Sequence, residues 1–153
     1  MKLEEAIKSS KFSDDKHRAT VNLLYSAYWL KHTLSMELKK HGLTPEQHNV
    51  LRILKGSHPK ELCVKEIASR IIEKSSNVPR IIDRLVAKKL VTRYQSKEDK
   101  RETLVGLTPE GINILQIARQ LVEDITDQVV NLTNEEAAAL NALLEKMREE
   151  KTA

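Results

Sequence analysis

Between Ser75 and Gly111 the chain gathers side chains suited to hydrogen-bonding an anionic polymer. Asn77, Arg80, Arg84 and Lys88 recur at intervals of three or four residues, so a helix carries them on one face. Val78, Ile81, Ile82, Leu85 and Val86 recur on the opposite face as a stripe to bury. An amide both donates to and accepts from an adenine edge, and guanidinium and ammonium groups hold phosphates. Ser75 or Ser76 caps this helix and adds a hydroxyl that can touch base or phosphate. Pro79 has no N–H to donate, so it belongs in the first turn and fixes the start near those serines. Downstream, Gln95 to Glu102 holds no apolar residue and carries Lys97, Asp99, Lys100 and Arg101. It lies between two β-like runs, Leu90 to Tyr94 and Thr103 to Leu107, which predicts a hairpin with a charged loop. A helix aliphatic inside, with an amide and three cations outside, suits a major groove, and double-stranded DNA is the expected partner.

The charge distribution agrees. From Lys60 to Val105 there are 12 Lys and Arg against 7 Asp and Glu, whereas the remainder holds 14 against 15. All of the net charge of +4 therefore lies in the middle third, the electrostatic footprint of nucleic-acid binding. A helical adaptor that binds protein would explain the amphipathic helices and leave this asymmetry unexplained.

Other chemistry is poorly supported. Glycine-rich phosphate loops, a nucleophile elbow and HExxH-type pairs are missing from the sequence, so an enzyme is not expected, and no cofactor is required. Cys63 sits in an apolar Leu-Cys-Val run and reads as an inert buried thiol, although redox sensing is the alternative for it. His41, His48 and Glu37 are too loosely spaced for a convincing metal site, and the histidines are expected at the surface. Tyr25, Tyr28, Trp29 and His32 gather within eight residues. They read either as core packing or as the wall of a pocket for a small aromatic effector, since aromatic bodies with polar tips suit amphipathic ligands.

These residues need elements to position them. Leu3, Ile7 and Phe12 are too sparse for an independent N-terminal element, leaving a short docking helix or a frayed end. A long helix is predicted from Asp14 or Asp15 to Lys40, closed by Gly42, with apolar residues on two stripes. Thr44, Pro45 and Gln47 form a capping box that opens the next helix, which stops near Gly56 to Pro59. Leu62 to Val64 suits an edge strand, and Lys65 to Ile72 a short helix. After Thr108-Pro109-Glu110-Gly111 a second long helix follows, and Thr133 with Glu136 caps a last one striped by Leu140, Leu143, Leu144 and Met147. The N-terminal and C-terminal helices exceed what supports the middle segment and read as a clamp between subunits. A charged N-terminus without a secretory signal, no apolar run near ~18 residues and one cysteine suit a cytoplasmic protein without membrane contact.

The combination resembles the MarR (multiple antibiotic resistance regulator) family of bacterial transcription factors, over about Asn22 to Met147. The resemblance rests on Leu43-Thr44 with Gln47 and Val50-Leu51, on Glu66-Ile67-Ala68, and on Ser76-Asn77-Val78, Arg80 and Asp83-Arg84-Leu85. It continues in Leu90-Val91 with Arg93, and most specifically in Asp99-Lys100-Arg101 followed by Leu107-Thr108 and Gly111. It implies a mainly α fold with a small β-hairpin wing, a winged helix-turn-helix flanked by N- and C-terminal dimerisation helices. On that basis residues 1–42 form the N-terminal dimerisation region, 43–111 the DNA-binding core and 112–153 the C-terminal dimerisation helices. It also implies a homodimer on a palindromic operator, often repressing, with Arg101 reaching the minor groove from the wing. Asp99 would brace the wing through Arg80, Arg84 or Arg101. Two positions depart from the family. Lys89 stands where glycine is common, so a left-handed helix end there costs about 1 kcal/mol, and Ile72 stands where the turn between the two core helices often has glycine.

Overall fold

The structure, a computed structural model, describes residues 1–74 and 77–149. It forms two compact units, Met1–Leu121 and Val122–Ala153.

The first unit opens with α1 (Leu3–Ile7) and α2 (Asp15–Lys40). Leu3 is buried, and Glu4 accepts from Arg18 Nε at 2.7 Å, so the N-terminal segment docks on α2 as a short helix. The Asp14 carboxylate caps α2 by accepting from the His17 N–H, and Gly42, with φ of 71°, turns the chain after it. In α3 (Pro45–Ser57) the capping box forms as the residues require. Thr44 Oγ1 accepts from the Gln47 N–H, and Gln47 Oε1 accepts from the Thr44 N–H, both at 3.2 Å. Next come β1 (Leu62–Cys63) and α4 (Val64–Arg70), then α5 (Val78–Ala87). The strands β2 (Val91–Gln95) and β3 (Thr103–Leu107) precede α6 (Pro109–Val129), which begins in this unit.

The expected hairpin is part of a three-stranded antiparallel sheet in the order β1-β3-β2. Its register pairs Val91 with Leu107 and Gln95 with Thr103 on one side of β3, and Leu62 with Val105 on the other. Around it α3, α4 and α5 contact one another, α3 also meets β3 and α5 meets β2. The core that results contains Leu38, Leu51, Leu54, Leu62, Ile67, Ile82, Leu85 and Val105, each under 3% exposed. Burial of each such side chain contributes on the order of 2 kcal/mol.

The structure corrects several expectations. The helix α4, expected to run to Ile72, stops at Arg70; Ile71 is extended and buried, while Ile72 is 79% exposed. Val86 lies at the rim of the α5 stripe and is exposed. His48 is buried, because the second turn of α3 packs inward, and its Nε2 has no hydrogen-bond partner among the described residues. The core reading of the aromatic cluster fails for Tyr28 and Trp29, which are exposed on α2, while Tyr25 is half-buried; Tyr28 stacks on His32 with ring centroids 6.1 Å apart.

The second unit holds the end of α6 and α7 (Asn134–Arg148), capped by Thr133 and Glu136 as the sequence indicates. No residue of α7 is buried, and Leu143 and Met147 are well exposed. Among the described residues no helix is long and apolar enough to cross a membrane.

Candidate nucleic-acid interface

The helix α5 begins at Val78 with Asn77 in the N-cap position, so Pro79 sits in the second helical position, where its missing N–H costs nothing. The caps expected at Ser75 or Ser76 lie outside the described residues. Asn77, Arg80, Arg84 and Lys88 are all exposed, but not in one stripe opposite the core. On a wheel of about 3.6 residues per turn, Arg80, Asp83 and Ala87 lie directly opposite Val78, Ile82 and Leu85. Asn77, Ile81, Arg84 and Lys88 run along one edge of the buried stripe instead.

That edge position decides what Lys88 does. Its ammonium turns back to donate to the Gly42 carbonyl and, at 3.1 Å, to Gln47 Oε1. The side chain assigned to a phosphate thus ties α5 to the α2–α3 turn and to the capping box. Asn77 and Arg84 line a cavity of about 250 Å³, whose other walls include Glu46 of α3 and Glu73 of the α4–α5 turn.

The end of α5 is a Schellman motif. The Lys89 N–H donates to the Val86 carbonyl at 2.8 Å, the Leu90 N–H to the Leu85 carbonyl at 3.0 Å, and Lys89 takes φ of 60°. The left-handed corner then receives α6. Thr108 Oγ1 donates to the Lys89 carbonyl at 2.8 Å and accepts from the Gly111 N–H at 3.0 Å. A Cβ on Gly111 would lie 2.0 Å from the Leu90 carbonyl oxygen, so only glycine fits there. The Thr-Pro-Glu-Gly sequence is therefore a docking joint as well as a helix start.

The wing loop is held by its own hydrogen bonds. Ser96 Oγ accepts from the Glu98 and Asp99 N–H groups at 3.2 and 3.3 Å, and Ser96 N–H donates to the Glu102 carbonyl at 2.9 Å. Of the three partners considered for Asp99, it meets Arg101. Oδ1 accepts from Arg101 N–H at 2.9 Å and Nε at 3.1 Å, and Oδ2 from Nη2 at 3.0 Å. These bonds hold the Asp99 carboxyl below its usual range and leave the Arg101 side chain oriented but 91% exposed. Lys97 and Lys100 flank it on the same loop and are exposed.

The link between wing and helix is made by residues given no such role from sequence. Arg93 of β2 pairs with Asp83 of α5, joining the first wing strand to the outward face of the helix. A lone acid on an otherwise basic face was the available signal, since a carboxylate among cations draws one of them as its partner. Tyr94 donates its hydroxyl to Glu61, whose side chain crosses β3 over Gly106, where a Cβ would come within 2.7 Å of Glu61 Oε1. Lys31 of α2, also unremarked in the sequence, bonds Glu46 and Glu73 together.

Among the other candidates, Cys63 is buried at the N-cap of α4 and its N–H donates to Glu66. Among the described residues no group of three or more His, Cys, Asp or Glu could hold a metal ion. Tyr25, half-buried, and Trp29 lie on the same helix as the Tyr28–His32 stack.

Comparison with known proteins follows the same lines. The MarR family profile matches residues 43–103, from the start of α3 to the start of β3. The uncharacterized HTH-type transcriptional regulator YkoM of Bacillus subtilis is 34% identical over 106 residues, covering 61% of this chain and 68% of the relative. A cysteine-to-serine mutant of Escherichia coli MarR in complex with operator DNA superposes with a TM-score of 0.78 at 26% identity, covering 92% of this chain and all of that one. Bordetella bronchiseptica BpsR, studied for regulation of its DNA binding by 6-hydroxynicotinic acid, superposes with a TM-score of 0.73 at 26% identity, covering 86% and 99%.

Proposed function

The chain belongs to the MarR family of DNA-binding transcriptional regulators, and from that premise we propose that it acts as a homodimeric repressor on a palindromic operator. The observation that carries this reading is the braced pair of basic surfaces, Arg80 and Arg84 on α5 and the outstretched Arg101 on the wing, joined through Asp83 and Arg93. Two copies related by a two-fold axis set their α5 helices into successive major grooves, about 34 Å apart. Arg80, Arg84 and Lys100 hold phosphates and Asn77 meets a base edge. Arg101 enters a narrow A·T-rich minor groove and reads its width. Dimerisation is supported by apolar side chains left open on α2 (Leu24, Tyr28, Met36) and on α7 (Leu140, Leu143, Met147), which a helix buries when a partner is available.

A small aromatic effector, sitting against Tyr25, Tyr28, Trp29 and His32, releases the operator by favouring a spacing of the two α5 helices that does not match it. The stacked Tyr28 and His32 rings on open surface, and a relative whose DNA binding responds to a hydroxylated aromatic acid, support this reading.

Selection of bound sequences from a random duplex pool tests the operator. Enrichment of a palindrome is expected, with affinity that falls steeply with salt; a pool without enrichment sinks the reading. Arg101→Ala is expected to weaken operator binding by at least about tenfold, one minor-groove contact in each half-site. An unchanged dissociation constant in a titration of the selected duplex would remove the wing from the interface.

A further inference from the structure

We infer that Lys31, clamped between Glu46 and Glu73, is a positioning residue that sets where the first turn of α5 meets DNA. The inference rests on the operator reading above and assigns that reading a residue outside the DNA-facing surface. Lys31 Nζ lies 2.6 Å from Glu73 Oε1 and 3.1 Å from Glu46 Oε1, so one ammonium from α2 joins the head of α3 to the turn that leads into α5.

That turn is held by the core at its ends and by polar contacts between them. Ile71 at the start of the turn and Val78 at its end are buried, whereas Ile72 between them points outward and is 79% exposed, so the core pins the ends of the turn and not its middle. Behind the turn, Glu46, Glu73, Asn77, Ile81 and Arg84 line a cavity of about 250 Å³, so the close packing that holds Val78, Ile82 and Leu85 does not extend to this side of α5. Among the described residues the middle of the turn is tied by polar contacts: the Ile72 N–H donates to Asn49 Oδ1 at 3.0 Å, the Lys74 ammonium donates to the Ser69 carbonyl, and Glu73 is held by Lys31. Asn49 fixes the turn to α3 alone, whereas Lys31 also fixes it to α2. Tyr28 and His32 flank Lys31 on α2, so a displacement of that helix passes through the same ammonium to the recognition helix.

The charges give the test a sign. Glu73→Gln removes a negative charge near a polyanion, so bulk electrostatics alone tightens every duplex. Loss of the clamp loosens the operator only. We therefore expect Glu73→Gln to bind the selected palindrome at least about threefold more weakly, the scale of an exposed ion pair, while a random duplex of equal length binds as well or better. Lys31→Met should behave likewise on the operator, and Lys31→Arg should retain wild-type affinity because a guanidinium spans the same two carboxylates. Should Glu73→Gln fail to fold by circular dichroism, the contrast between Lys31→Arg and Lys31→Met decides the matter. Operator affinity that Glu73→Gln retains or improves, or equal affinity for the two Lys31 variants, overturns the inference. A wild-type chain that prefers no duplex overturns the operator reading along with it, whereas a wild type that prefers the palindrome isolates the failure to Lys31.

Discussion

Lys89 holds a backbone conformation that L side chains adopt only at a cost, with φ of 60°, because the Schellman closure of α5 and the docking of Thr108 both require it. Lys89→Gly relieves about 1 kcal/mol of that strain. Thermal unfolding of the variant should shift up by about 2–4 °C, and an unchanged or lower midpoint would mean that the corner is not strained. His48 makes a different demand. Burial, then the nearby Arg52 charge, pushes its imidazole below the usual range, so the folded chain resists protonation there. Stability is fullest above the unfolded pKa of about 6.5, falls as pH drops through that value, and levels off only below the depressed folded one. His48→Gln should remove this component. Chemical denaturation at pH 7.5 and 5.5 checks it, and an equal pH response in wild type and variant would refute the assignment. Both residues illustrate what one-dimensional reading sees. A missing glycine at Lys89 was legible as a point of strain, whereas nothing local to His48 announces that its side of α3 packs inward.

At the scale of elements, the structure is most legible where a helix end is specified by short-range hydrogen bonds. Thr44 with Gln47, and Thr133 with Glu136, close capping boxes whose partners are three residues apart, so the sequence contains both halves of each. The α4–α5 connection is the opposite case. Its apolar Ile72 suggests continued helix, but Asn49 and Lys31 capture the turn from 23 and 42 residues away, and those contacts are invisible locally. The joint between wing and α6 lies between these extremes. Gly111 looks like an ordinary early-helix residue until its approach to the Leu90 carbonyl is known. Gly111→Ala should force that approach apart and destabilise the unit by roughly 1–3 kcal/mol. Urea unfolding that matches the wild type would show that α6 can withdraw without loss.

For the molecule as a whole, the open question is what covers the apolar side chains on α7, none of whose residues is buried in the single chain. In the proposed dimer they meet a second copy. Leu143→Glu should then convert dimer to monomer in sedimentation velocity and abolish tight operator binding, since one half-site supplies only part of the contacts. A variant that stays dimeric would exclude this face. The exposed aromatics of α2 raise the same question at the other end of the sequence. Their hydrophobicity suggested a core, yet helix periodicity states only that a face needs cover, without saying whether the cover is the same chain, a second copy or a ligand.

The sequence by itself determined the family, the order of helices and strands, the basic character of the middle third and the caps that start α3 and α7. These follow from residue types and short spacings, which act through hydrogen bonds and periodicity along the chain. Tertiary structure decided the rest. It turned Lys88 back onto the α2–α3 turn, paired Asp99 with Arg101 and Asp83 with Arg93, and made Lys31 the meeting point of α2, α3 and the α4–α5 turn. The physical reason is that a charged side chain has several partners within reach of its own segment. Which one it takes depends on how distant elements pack beside it.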